Sequence, residues 1–199
     1  MRLENLKQEY SSCMKCKDLC ETRTQVVFGF GNPNADVVFI GEAPGAKEDQ
    51  SGVPFCGASG KVLDELLEEI NLKREDIFIT NTIICRPPKN RNPKKEEIIQ
   101  CHDRLKKTLE IISPKVIVTV GNFATRVIMP EIGKQGITKI RGQVFKINFD
   151  GRDYTVVPVI HPANYLYKGR SPVVFEQMKQ DFETIKNVIS TKFEKLDES

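Results

Sequence analysis

Four of the six cysteines stand where they could share one metal centre. Cys13 and Cys16 form a C-x2-C pair near the N-terminus, Cys85 follows an apolar run, and Cys101 lies in the helical stretch beyond it. Thiolates suit zinc and iron–sulfur clusters. An all-cysteine zinc site usually draws on two tight pairs, whereas one pair with two isolated residues suits a cubane whose iron corners are spread apart. The spacing therefore favours a 4Fe-4S cluster on Cys13, Cys16, Cys85 and Cys101, with zinc and unligated buried thiols as the alternatives. Cys20 is a spare ligand in the same segment, and Cys56 reads as a small packing or pocket residue.

A second constellation is the run GEAPGAKEDQSGVPFCGASGKVLDELL, from Gly41 to Leu67. A dinucleotide-binding turn needs G-x-G-x-x-G and a phosphate loop needs Gly-Lys-Ser/Thr; neither is present, so nucleotide binding drops out. A third is RPPKNRNPKK, which gathers Arg86, Lys89, Arg91, Lys94 and Lys95 between two of the cysteines. A charge run is ordinarily a solvated face, but on a proline-stiffened loop pinned at both ends it reads better as a phosphate contact. Lys139, Arg141, Lys168 and Arg170 extend the same track.

These groups need elements to position them. Asp36–Gly41, Ile77–Ile84 and Lys115–Gly121 are short apolar, β-branched runs and read as buried strands. Val144–Phe149 and Tyr154–Ile160 flank an Asp-Gly turn and read as a hairpin or return strand. Between them, Val62, Leu63, Leu66, Leu67 and Ile70 recur at helical spacing, as do Ile98, Ile99, Leu105, Leu109 and Ile112, with Asn92-Pro93 as the start signal of the second helix and Pro114 as its stop. A short helix through Phe123, Val127 and Ile128 and a last one from about Pro172 complete the pattern. Strand–helix alternation predicts a central parallel sheet covered on both faces. Such sheets keep their sites beyond the strand C-termini, so the loops starting at Gly41, Asn81 and His161 should meet in one crevice.

The 199 residues, 39% of them hydrophobic, suit one domain spanning 1–199, with about 190–199 read as a frayed tail. No secretory signal and no long apolar run is visible, which points to a cytoplasmic chain without a membrane span. A net charge of +3 does not by itself announce nucleic acid.

The Gly41–Leu67 run, with Pro54-Phe55 and Gly57-x2-Gly60, resembles the first motif of the family 4 uracil-DNA glycosylases. The resemblance continues through Thr80-Asn81-x3-Cys85-Arg86-Pro87-Pro88, the four spaced cysteines, Val120-Gly121, Arg141-Gly142 and His161-Pro162-Ala163, and so covers nearly the whole chain. It implies a three-layer αβα sandwich around a mostly parallel four-stranded sheet, a structural 4Fe-4S cluster, and hydrolytic excision of uracil from single- and double-stranded DNA. It also implies the cluster ligands already named. Phe55 matches the ring that stacks on the extruded base, Asn81 the amide that reads the uracil edge, Glu48 the group near uracil C5, and His161 the donor to uracil O2. Glu42, with the backbone of Gly41 and Ala43, matches the group that positions the attacking water.

Read without the motifs around them, Phe55 is a core aromatic, Asn81 a loop-tying amide and His161 a structural imidazole. Glu48 and Asp49 can also be read as caps of the helix that follows, and His102 as a surface or packing residue. Arg86, Lys89, Arg91, Arg141 and Arg170 are the expected phosphate contacts, and Tyr165 or Leu166 the expected wedge. Ala43, Cys56 and Asn164 depart from the family's usual residues at the pocket. The loop after Cys85 lacks the histidine-bearing insertion of relatives that trap DNA covalently, so turnover is expected. Uracil-containing DNA is the implied partner of a monomer, with a replication clamp left open as a protein partner. A cluster-bearing DNA-binding module without catalysis, and a glycosylase for other deaminated bases, stand beside this reading.

Overall fold

The structure, a computed structural model, describes residues 2–194, with side chains described to residue 191. In chain order the helices are α1 (Leu3–Ser11), α2 (Lys17–Thr22), α3 (Ala46–Ser51), α4 (Ala58–Glu69), α5 (Lys95–Ile112), α6 (Gly121–Ile128), α7 (Pro130–Gly133), α8 (Ile137–Ile140), α9 (Ala163–Tyr167) and α10 (Pro172–Glu194). The strands are β1 (Phe30–Gly31), β2 (Val37–Gly41), β3 (Phe78–Asn81), β4 (Val116–Val120), β5 (Phe145–Phe149) and β6 (Arg152–Val159). They form one sheet in the order β1-β3-β2-β4-β6-β5.

The inner four strands, β3-β2-β4-β6, pair in parallel, as the alternating pattern requires. The expected four-stranded sheet is extended to six by antiparallel edges. Phe30–Gly31 adds to β3, and Phe145–Phe149 folds back on β6 across Asp150-Gly151. Both faces of the inner strands are covered, which explains why these strands read as unbroken apolar runs. Val38, Ile40 and Ile117 face α1 and α5 through Leu6, Leu105 and Leu109. Val37, Phe39, Val118 and Val157 face α4 and α10 through Leu63, Leu66 and Phe182.

Several boundaries differ from the sequence expectation for local reasons. β3 ends at Asn81, where its partner β2 ends at Gly41; the next amides still lean on that strand's exit, Thr82 N–H donating to Gly41 O (2.9 Å) and Ile83 N–H to Glu42 O (3.3 Å). α5 begins at Lys95, beyond Asn92-Pro93, because the Glu97 carboxylate accepts the Lys94 N–H (2.7 Å) in a capping box. Ile99 stays 59% exposed on the outer side of that helix. α10 runs to Glu194, through the first half of the expected tail; 195–199 lie outside the described residues. No described helix is long and apolar enough to cross a membrane.

Candidate active site

The site begins where β2 stops. A Cβ on Gly41 would lie 2.3 Å from Asn81 Oδ1 and 2.8 Å from the Phe55 ring, so only glycine lets the amide and the aromatic close over this strand end. Phe55 is held at φ 51°, an unfavourable region for a bulky residue. Arg74 compensates by donating to three carbonyls of this loop: Pro54 O (3.2 Å), Phe55 O (2.5 Å) and Gly60 O (3.2 Å), with Asp64 as its counter-ion. Gly60 is required here as well, since a Cβ would fall 1.6 Å from Phe55 O.

Asn81, the last residue of β3, is 2% exposed, and its side-chain amide has no hydrogen-bond partner among the described residues. It therefore ties no loops together and is left to face the cleft. His161 follows β6 directly, and its ring stacks at 29° on Phe55 with centroids 5.8 Å apart. Gly121, at φ 87°, backs it closely: a Cβ there would lie 3.1 Å from His161 Cβ. Burial pulls the His161 pKa down to about 4, so the ring is neutral near pH 7. Ala163 N–H donates to Nδ1 (3.1 Å), which assigns the ring proton to Nε2. Asp181 on α10 anchors the approach to this residue, accepting the Ile160 N–H and the Arg141 guanidinium (Nε 3.0 Å, Nη2 2.9 Å). Its burial outweighs the pull of Arg141 and pushes its pKa up to about 6.

Gly41 lies beneath a cleft of about 660 Å³ whose walls include Glu42, Glu48, Phe55, Asn81 and His161. Glu42 has its pKa raised by burial, which makes its carboxylate a stronger base than an exposed one. Ala43 lies beside it on the same wall. Glu48 and Asp49 sit inside α3 rather than capping α4. Glu48 Oε2 covers Gly45, while buried Asp49 accepts the Thr24 N–H (2.9 and 3.0 Å) and so ties α3 to the segment after α2.

Four of the six cysteines lie in or against one core cluster, while Cys56 is exposed beside Ser51. Cys85 and Cys101 are buried, and Cys13 and Cys16 pack against the same core. Burial, reinforced by Cys101 and Cys13, pushes the Cys16 thiol up to about 11. Burial likewise carries Cys85 to about 12, against the opposing pull of Arg23. Arg23 donates to Cys85 Sγ (2.9 Å) and to Cys13 O (2.5 Å), and Cys20 Sγ donates to Cys13 O (3.5 Å). Among the described residues no group of three or more His, Cys, Asp or Glu side chains is set to hold a metal ion.

A family profile described as the uracil DNA glycosylase superfamily matches residues 28–183, which include all three strand-end loops. The chain belongs to the uracil DNA glycosylase superfamily. It is 43% identical over 185 residues to the type-4 uracil-DNA glycosylase of Archaeoglobus fulgidus, covering 92% of this chain and 91% of that one. It is 42% identical over 192 residues to the type-4 uracil-DNA glycosylase of Sulfurisphaera tokodaii (95% and 86%), and 40% over 187 residues to that of Thermotoga maritima (94% and 94%).

Around the cleft of this glycosylase-superfamily chain the cations divide into two sets. Lys89, Lys95 and Arg170 are exposed, and Arg86 reaches Asn90 Oδ1 (2.8 Å). Arg91 reaches the cleft wall, but Glu97 grips its guanidinium at 2.5 and 2.9 Å. Arg141 departs from the expected phosphate track: Asp181 and Gln177 O hold it against α10. The expected wedges also differ. Tyr165 packs on Phe175 (5.2 Å) and Leu166 on the α4–α10 core, whereas Tyr167 stands 88% exposed at the cleft rim. Lys47 lies on the cleft wall, and only its place in the glycine run hinted at that. His102 packs on the hairpin, at 5.2 Å from the Phe149 ring and 2.5 Å from Asp150 Oδ2, away from the cleft.

Proposed function

We propose that this chain is a monofunctional uracil-DNA glycosylase, hydrolysing the bond between uracil and deoxyribose in single- and double-stranded DNA and leaving an abasic site. The observation that carries the reading is a neutral imidazole with its proton on Nε2, sharing a cleft with the Asn81 amide and the Phe55 ring. The extruded base stacks on Phe55. Asn81 accepts from N3–H and donates to O4, a pattern that cytosine reverses, so the wrong base leaves the amide unpaired. Glu48 closes the side near C5 against the methyl of thymine.

As the glycosidic bond breaks, uracil becomes an anion and the sugar becomes oxocarbenium-like. His161 Nε2–H donates to O2 where that charge develops, a fixed donor worth about 3–4 kcal/mol. The buried Glu42 carboxylate, with the backbone of Gly41 and Ala43, orients the water that attacks the sugar. Lys89, Lys95, Arg86 and Arg170 hold phosphates, and Tyr167 fills the gap left by the flipped base.

The cysteine set fits a 4Fe-4S cluster by its chemistry. Four thiols come from three segments, and Arg23 donates a hydrogen bond to Cys85 Sγ (2.9 Å). Cys13, Cys16, Cys85 and Cys101 would hold it, and once bound it supplies a cross-link between the N-terminal segment, the exit of β3 and α5. A single cytoplasmic domain acting as a monomer completes the reading.

The test is incubation with a uracil-containing oligonucleotide followed by alkali. Strand cutting that needs alkali and is lost in both His161→Ala and Asn81→Ala is the expected result. Cutting without alkali that disappears in Lys47→Ala would replace the monofunctional reading with lyase chemistry.

A further inference from the structure

Arg104 lies one turn beyond Cys101 on α5 and is 0% exposed. Every hydrogen bond its guanidinium makes to the sheet falls on the end of β3 and the residue after it. Nη1 donates to Thr80 Oγ1 (3.1 Å), and Nη2 donates to Asn81 O (2.7 Å) and Thr82 O (3.0 Å). Thr80 passes its own proton on to Phe28 O (2.7 Å), so this end of the strand is fixed from both sides. Nε is left buried without a partner among the described residues.

Burying a guanidinium is expensive unless an opposite charge is close. The acidic groups that face Arg104 are the thiols of Cys101 and Cys85 and the Tyr10 hydroxyl, and burial draws its pKa below the usual arginine value. Two carbonyls at a strand end can be satisfied by neutral donors or water, so capping them does not by itself require a buried cation. What the cation adds is a rigid three-point fork, on one side-chain hydroxyl and two backbone carbonyls around Asn81, carried by the helix that also bears Cys101.

We propose that Arg104 is a positioning residue: its hydrogen bonds to Thr80 Oγ1 and to the carbonyls of Asn81 and Thr82 fix the strand end that carries the Asn81 side chain and so aim the amide into the cleft. This rests on Asn81 being the uracil reader.

The test uses the iron-loaded wild type, Arg104→Met, Arg104→Lys, Asn81→Ala and the double variant Asn81→Ala/Arg104→Met. In Arg104→Met, hydrogen exchange at the amides of residues 81–84 should rise about tenfold or more while those of β4 keep wild-type protection. Its kcat/KM on a uracil oligonucleotide should fall by roughly 100-fold, and the double variant should be no worse than Asn81→Ala alone, because both changes remove the same aimed amide. Arg104→Lys, with one ammonium in place of a fork, should show the same local signature at smaller amplitude, and it decides the matter if Arg104→Met does not fold. Losses that multiply in the double variant, or wild-type exchange at 81–84 in Arg104→Lys, would overturn the proposal. If Asn81→Ala keeps wild-type activity, the reader assignment fails instead, and the exchange pattern alone judges Arg104.

Discussion

Burial sets the chemistry of His161 and also gives that residue a measurable pH signature. Its folded pKa of about 4 lies below the ordinary 6.5, so protons bind the unfolded chain more tightly. The resulting loss of stability is absent above about pH 6.5, grows as pH falls, and is complete below about 4. At one pKa unit per ~1.4 kcal/mol its full size is on the order of 3 kcal/mol. In His161→Gln that component should vanish. Subtracting the denaturation curves of the two proteins from pH 7 to 4 should isolate a slope confined to this window, free of the carboxylates common to both. His161→Ala, which leaves no side-chain donor at this position, should lose about 10²–10³ in kcat at pH 7. A flat difference curve would mean that the imidazole is not held neutral by its surroundings, and the donor assignment would fall with it.

Among the elements, the loop between α3 and α4 depends on a residue outside it. Phe55 keeps a left-handed backbone because Arg74 draws its carbonyl, and those of Pro54 and Gly60, onto one guanidinium. In Arg74→Met these acceptors lose their donor at a net cost of about 2–3 kcal/mol, which for a chain of this size is roughly 4–12 °C in Tm. Because the stacking platform moves, KM for a uracil oligonucleotide should rise more than kcat falls. Arg74→Lys should not restore either, since an ammonium cannot reproduce the fork. Thermal denaturation and initial-rate kinetics check this, and an unchanged Tm would show that the loop holds itself. Nothing in the sequence around Arg74 announces this role. The inner strands, the helices on both faces and the meeting of the Gly41, Asn81 and His161 loops were legible, because apolar runs and glycine motifs express burial directly. Arg74, Arg104 and Asp181 were not, because a charged residue on a helix or loop reads as solvated until its distant hydrogen-bond partners are known. β1 was missed for another reason: it is two residues long, the second of them Gly31, and follows Gly29, both glycines at positive φ, so it carries no periodicity at all.

For the molecule as a whole, a net charge of +3 spread over 199 residues predicts little, and what matters is which cations are free to meet a phosphate backbone. Lys89, next to the cleft residue Asn90, and Arg170, shortly after the rim residue Tyr167, are both exposed. Arg141 is as basic by sequence but is held by Asp181 and α10. Each phosphate contact releases counterions on binding duplex DNA and steepens the dependence of log K on log salt by about 0.9. Lys89→Gln/Arg170→Gln should therefore weaken binding to a uracil-containing duplex and lower that slope by about 1.8, with Tm unchanged. Arg141→Gln should do the reverse, leaving the slope at its wild-type value while lowering Tm, because it leaves a buried carboxylate without its partner. Binding titrations between about 50 and 200 mM salt resolve the two patterns, since affinity shifts by orders of magnitude over that range. If the Arg141 variant loses slope and the double variant does not, DNA runs across α8 and α10 rather than along the loop between Cys85 and Cys101.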